Sequence, residues 1–175
     1  MEMLGVKDLV VRPADGEEKA ADGLKPAELV QALASHKAHE VALRSDPGDV
    51  IVAADTVVWL ENRVYGKPKG EREAADMLRA LSGHTHEVFT GVSVIRSEKE
   101  LTRAVRSEVR FRPLSEREIA AYIATGEPMD KAGAYGAQGK AALFVESITG
   151  DFFNVMGLPL CTLGLMLREQ GVELL

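Results

Sequence analysis

The chain has 175 residues, 46% hydrophobic and 27% charged, enough apolar material for one folded domain and too much for a disordered chain. Its 27 acidic and 21 basic side chains leave a net charge of −6, which excludes the broad basic field that holds a nucleic acid polymer. Cys161 is the sole cysteine, so an intrachain disulfide framework and a cysteine-built zinc site are excluded as well.

Pro26 opens a helical pattern, its ring suited to the first helical position. Leu29, Val30, Leu33, Ala34, Lys37 and Val41 follow at helical spacing, and Pro47-Gly48 closes the region. Val50-Ile51-Val52-Ala53-Ala54 is a continuous apolar run and predicts a buried strand. Asp55-Thr56 interrupts it. Val57 to Leu60 resumes an extended pattern, and after Glu61-Asn62-Arg63 the chain returns as a hairpin partner at Val64-Tyr65. Gly66 to Gly70 is a loop.

A second helix is predicted from about Glu71, with Ala74, Met77, Leu78 and Leu81 on its apolar face and Gly83 as its stop. Strands follow near His86–Ile95 and Leu101–Phe111, with a turn over Ser97 to Glu100. Ser115 and Glu118 make a capping box, and Leu114 and Ile119 a hydrophobic staple, for a helix ending near Gly126-Glu127-Pro128. A glycine-spaced stretch runs from Lys131 to Gly139. Leu143–Ile148 reads as a strand, Gly150-Asp151 as a turn, and Pro159 as the start of a last helix carrying Leu160, Leu163 and Leu167. Strands and helices interleave while strands also pair, which favours an α/β domain with a mixed sheet.

The longest uncharged run, Phe152 to Leu167, has 16 residues and is broken by Gly157-Leu158-Pro159. It is shorter than the roughly 20 residues of a spanning helix, and the start Met1-Glu2-Met3-Leu4-Gly5 has no basic signal region. A cytoplasmic protein without a membrane partner is expected.

Asp55 is the sharpest candidate residue. At the end of an apolar strand run it is expected at the rim of the sheet, where it could ligate a metal or take a proton from water. The competing role is a structural cap or turn. Lys67 and Lys69 put two ammonium groups on a short, stiff loop, either a phosphate site or a solvated turn. Lys131 to Gly139 carries three glycines in nine residues, so a ligand can approach its backbone, and Gln138 offers a donor and an acceptor to the edge of a base. The same stretch also reads as an ordinary turn. His36, His39, His84 and His86 lack the spacing of a metal site. Glu17-Glu18 is either a solvated pair or a source of a metal ligand.

Together these segments resemble the Maf family of nucleotide pyrophosphatases. The matching stretches are Ala54-Asp55-Thr56-Val57-Val58, Gly66-Lys67-Pro68, Met77 to Gly83, Thr90-Gly91-Val92, Glu127 to Gly139 and Gly157-Leu158-Pro159-Leu160, in family order over nearly the whole chain. The resemblance implies an ITPase-like α/β fold, a mixed sheet flanked by helices, with two lobes around a cleft. It implies hydrolysis of a nucleoside triphosphate to the monophosphate and pyrophosphate, assisted by Mg²⁺ or Mn²⁺, in a homodimer. By motif position Asp55 resembles the catalytic acid-base and a metal ligand. Glu18 resembles the second metal-binding carboxylate, and Lys67 and Lys37 the phosphate-contacting lysines. Thr56 and Gln138 resemble specificity positions. Asp55-Thr56 and Tyr135-Gly136-Ala137-Gln138-Gly139 are similar to the branch acting on dTTP and UTP. The branch acting on 7-methyl-GTP carries Ser-Asp-Gln instead and stands second. The rival class is a non-catalytic, nucleotide-binding regulator of septum formation.

The resemblance departs at the start. Family members open with a short strand and a Ser-x-Ser-Pro-Arg-Arg stretch leading into a helix, and Met1 to Gly5 resembles the end of that helix. Residues 1–175 are read as a single Maf-like domain without that segment. The expectation is weak turnover or none, with activity and stability recovered when roughly 15 residues carrying Ser-Pro-Arg-Arg, about one strand and a helix start, are added ahead of Met1.

Overall fold

The computed structural model describes residue 6, residues 8–14 and residues 23–174. Helix α1 spans Pro26–Ala42, with Pro26 at its first position and the Glu28 carboxylate accepting from the Lys25 N–H at 3.1 Å. Strand β1 spans Val50–Leu60, β2 Arg63–Tyr65, β3 Thr85–Arg96 and β4 Lys99–Phe111, with helix α2, Glu71–Leu81, between β2 and β3. Helix α3, Glu116–Ile123, starts at the expected capping box: Ser115 Oγ accepts from the Glu118 N–H, and the Glu118 carboxylate accepts from the Ser115 N–H at 2.9 Å. After a run of 3₁₀ turns come strand β5, Val145–Thr149, the one-turn helix α4, Phe152–Val155, and helix α5, Leu160–Glu169.

The five strands lie in the order β2-β1-β3-β4-β5. Helices cover the sheet, and the α/β class holds. Every ladder is antiparallel, however, where a mixed sheet was expected. Short turns join β1 to β2 and β3 to β4, and such turns force antiparallel neighbours.

Alternation along β1 and β3 assigns the faces. Asp55 pairs with Gly91 and Thr56 with Thr90, so the first pair points to one face and the second to the other. Helix α1 covers the Asp55 face, burying Val30, Leu33, Ala34 and Ala38. It comes so close that a Cβ at Gly91 would overlap the Val30 carbonyl, so only glycine fits there. On the opposite face α5 packs Leu163, Met166 and Leu167 against Val92 and Val94. A second and larger cluster joins Val58, Val88, Val109 and Phe111 to α2 and α3 through Leu78, Leu81, Ile119 and Tyr122.

Two expectations about β1 need correction. Asp55 is not at a strand end, because β1 runs without a break through Asp55-Thr56. Each polar side chain has a partner on its own face, so neither disrupts the strand. Nor is Val50–Ala54 fully buried. β2 pairs only with Val58 to Leu60, and among the described residues no strand pairs with β1 on that side before Val58. Among the described residues, the β1 edge beside Asp55 and Thr56 therefore carries no strand.

Candidate active site

A cleft of about 230 Å³ lies against that edge, between the two core clusters. It is lined by Lys37 of α1, by Ala54, Asp55, Thr56 and Val58 of β1, and by Lys67 from the loop after β2. Asp130 comes from just before the glycine-spaced stretch, Lys131, Tyr135, Gly136 and Gln138 from the stretch itself, and Val155, Met156 and Gly157 from the end of α4. Asp55 and Thr56 both line this one cleft although they leave the strand on opposite faces, because the cleft lies along the strand's edge. A larger hollow of about 940 Å³ adjoins it through Lys37, Ala54 and Gly157, with Leu9 to Arg12 on its wall.

The charged groups come from four parts of the chain: α1, β1, the loop after β2 and the segment around Asp130. The Lys37 ammonium donates to Asp55 Oδ1 in a largely buried ion pair. The Lys67 side chain is exposed and has no hydrogen-bond or salt-bridge partner among the described residues. Lys131 donates to Asp130 Oδ1 at 2.6 Å, which holds the Asp130 carboxyl below its usual range, with the nearby Lys67 charge adding to the effect. Among the described residues, three ammonium groups and two carboxylates therefore share the cleft. That balance suits an anion carrying several charges.

The lysine loop and the glycine-spaced stretch hold one another. The Gly133 N–H donates to the Gly66 carbonyl at 3.0 Å. Glu127 then organises the turn that presents Gln138. Its carboxylate accepts from the Tyr122 hydroxyl at 2.9 Å and from the Lys140 N–H at 3.1 Å, while the Gly136 N–H donates to the same Tyr122 oxygen at 3.2 Å. Burial, with the Glu127 charge beside it, raises the Tyr122 hydroxyl well above the usual phenol range, so that hydroxyl stays protonated. Gln138 itself is exposed at the cleft.

Under the cleft, Tyr135 turns its ring into an edge-to-face cluster with Phe111 and His86. His86 Nε2 lies 2.8 Å from the Tyr135 hydroxyl, and its Nδ1 is buried without a partner among the described residues. Burial lowers His86 to about 4, so the ring is neutral at pH 7. It supports the floor and is not a cleft-lining group.

Of the residues singled out from sequence, Lys37, Asp55, Thr56, Lys67 and Gln138 are brought together here. Glu18 lies outside the described residues. Lys69 does not line the cleft; its backbone N–H donates to Glu73 at the start of α2. Among the described residues no group of three or more His, Cys, Asp and Glu side chains could hold a metal ion. Two further charged cleft residues, Asp130 and Lys131, lie inside the matching stretch Glu127 to Gly139 but are not among the site residues expected from sequence. The available signal is their place at the opening of the glycine-spaced stretch. No helix among the described residues is long and apolar enough to cross a membrane.

The fold and the cleft define an α/β protein with a lysine-lined anion site beside a strand carboxylate. Residues 1–170 match the model of the family described as Maf-like protein, and the chain belongs to that family. It is 47% identical over 165 residues to a protein of Alkaliphilus metalliredigens, covering 93% of this chain and 84% of that one. It is 48% identical over 170 residues to a protein of Thermococcus gammatolerans, covering 97% and 89%. A protein of Symbiobacterium thermophilum is 46% identical over 171 residues, covering 98% and 87%. All three relatives bear the name dTTP/UTP pyrophosphatase.

Proposed function

We propose that this chain hydrolyses dTTP and UTP to the nucleoside monophosphate and pyrophosphate. The observation that carries the reading is one cleft that joins Asp55 to Lys37, Lys67, Lys131 and Gln138, in a chain whose relatives bear that activity in their names. In the reaction a water oxygen bonds to the α-phosphorus as the bond from that phosphorus to the α–β bridging oxygen breaks. The electron pair leaves with pyrophosphate. Asp55 takes the proton from the attacking water. Its ion pair with Lys37 fixes the direction of the carboxylate before substrate arrives. Lys67 and Lys131 meet the β- and γ-phosphate oxygens, where charge collects as the bond breaks. Gln138 donates to the base through its amide and selects uracil and thymine.

The family resemblance adds Mg²⁺ or Mn²⁺, and hard cations of this kind take a carboxylate or two and leave the remaining positions to water and phosphate. We assign Asp55 and Glu18 to it. When bound, the cation spreads negative charge from the triphosphate. A cytoplasmic homodimer goes with this reading on the family resemblance, and size-exclusion chromatography with light scattering tests the dimer.

The deciding assay measures pyrophosphate release and equilibrium binding across UTP, dTTP, CTP, GTP, ATP and 7-methyl-GTP with Mg²⁺ or Mn²⁺. Preferred release from UTP and dTTP supports the reading. Saturable binding without turnover points to the regulatory nucleotide binder. Neither turnover nor binding overturns the enzyme.

A further inference from the structure

Thr56 lines the cleft, and the direction of its hydroxyl proton follows from its neighbours. The Thr90 hydroxyl is fully buried, 2.9 Å from the Asn154 carbonyl oxygen and 2.8 Å from Thr56 Oγ1. Two oxygens this close repel unless a proton lies between them. The carbonyl has no proton, so the Thr90 proton must lie on the Asn154 side. That leaves the Thr56–Thr90 contact without one unless Thr56 supplies it. Thr56 therefore donates inward, and toward the cleft it presents lone pairs only.

The far end of this chain is held firmly. Asn154 is fully buried, and its side-chain amide donates to the Val88 carbonyl at 3.1 Å and to Ser107 Oγ at 2.9 Å. Its carbonyl also accepts from the Gly157 N–H at 2.9 Å. Gly157 has φ +100°, and a Cβ there would sit 3.4 Å from Thr56 Oγ1. Glycine thus keeps one approach to the Thr56 oxygen uncrowded.

We propose that Thr90, anchored on the Asn154 carbonyl, is a positioning residue that makes Thr56 an obligate hydrogen-bond acceptor for the N3–H of uracil and thymine. The inference rests on the proposed dTTP and UTP activity and names how that site rejects cytosine. Uracil and thymine carry a proton on N3. Cytosine carries a lone pair there, which would face the Thr56 lone pairs with nothing between. Gln138 is then left to donate to O4, where cytosine has an amino group that donates in turn. A reversible hydroxyl would accept either base; a locked one discriminates.

The test is equilibrium binding of UMP, 3-methyl-UMP and CMP to the wild-type chain and to Thr90→Val, Thr90→Ser and Thr56→Val, with UTP and dTTP hydrolysis followed in parallel. Thr90→Val keeps the shape and frees the Thr56 proton to turn outward. The UMP-to-CMP preference should fall about tenfold, the size of one hydrogen bond exchanged for a mismatch. Thr90→Ser should restore it. If Thr90→Val does not fold, Thr56→Val decides: it should lose most of the preference for UMP over 3-methyl-UMP. An unchanged UMP-to-CMP ratio in Thr90→Val, or an unchanged 3-methyl penalty in Thr56→Val, overturns the inference even if UTP is hydrolysed. Hydrolysis of neither UTP nor dTTP overturns the proposed function instead, while the binding ratios still decide the role of Thr90.

Discussion

Helix α1 meets two carboxylates on the same face of the sheet, and they are treated differently. Glu100, near the start of β4, accepts from Ser35 at 2.7 Å, Ser93 at 2.9 Å and Thr102 at 3.1 Å, and pairs with His39 at 2.9 Å. Burial works to raise its pKa, yet the hydrogen bonds outweigh it and hold the group down at about 2. Asp55, on β1, meets Lys37 on the same helix, and both side chains line the cleft. Four donors from α1, β3 and β4 converge on Glu100, which makes it a staple between helix and sheet. Asp55 stands where a substrate with its own charges can enter. What separates a structural carboxylate from a working one is how far its partners are shared with a cleft.

The contrast breaks most sharply at Asp55. Asp55→Asn keeps the shape and removes the charge and the base. Pyrophosphate release should fall by about 10³-fold, the usual weight of a positioned base, with the thermal midpoint little changed. Turnover within a few-fold of the parent would remove Asp55 from the reaction. Glu100→Gln should do the reverse. It loses charge-assisted hydrogen bonds worth about 2 kcal/mol together, so the midpoint should drop by roughly 4–8 °C while kcat stays within about twofold. A large loss of kcat at unchanged stability would mean that Glu100 is no staple.

Acid sharpens the same contrast by separating its two halves along pH. His86 beneath the cleft is neutral when folded, lowered to about 4 from an ordinary 6.5. The unfolded chain therefore binds more protons between those values, and stability is full above pH 6.5 and falls toward pH 4. The shift corresponds to about 3 kcal/mol at 1.36 kcal/mol per unit. Glu100, ordinarily 4.5 and about 2 when folded, loses its contribution only as pH falls from 4.5 to 2. Chemical denaturation from pH 7 to 3 should show the first decline flattened in His86→Gln and the second in Glu100→Gln. A single decline untouched by His86→Gln would show that the ring is not held neutral.

Much of this was legible in the residues, and the failures have one cause. The capping box at Ser115, the helix opened by Pro26 and the three long strands all rest on local spacing. Asp55 stood out as an acid in an apolar run, but its position was misjudged. Its partner Lys37 is 18 residues away and the Thr90 partner of Thr56 is 34 away, so nothing local showed that a strand could carry both polar residues through its middle. Glu100 read as part of a turn, since Ser35 and His39 lie more than 60 residues off. Lys67 and Gln138 were visible because glycine-rich loops mark themselves. Thr90 stood in a matching stretch, but its contacts with Thr56 and Asn154 span 34 and 64 residues, so nothing local showed its role.

The smallest expected effect concerns Gln138, where the cleft half of the comparison meets the base. Its side chain is exposed at the cleft and sits on a turn that Glu127 and Tyr122 hold from behind. Nothing in the core depends on it, so Gln138→Leu should leave the thermal midpoint within about 1 °C, as surface changes usually do. The change removes one donor and one acceptor from the wall of the cleft. A uracil O4 that loses its partner inside a narrow site costs about 1–2 kcal/mol, so kcat/KM for UTP and dTTP should fall roughly tenfold. CTP offers an amino group at that place and should lose less, so the ratio between the nucleotides is the readout. Because Asp55, Lys37, Lys67 and Lys131 stay in place, turnover at saturating UTP should change little and the loss should appear in KM. An equal loss for every nucleotide, or a loss carried by kcat, would mean that Gln138 shapes the turn and does not read the base.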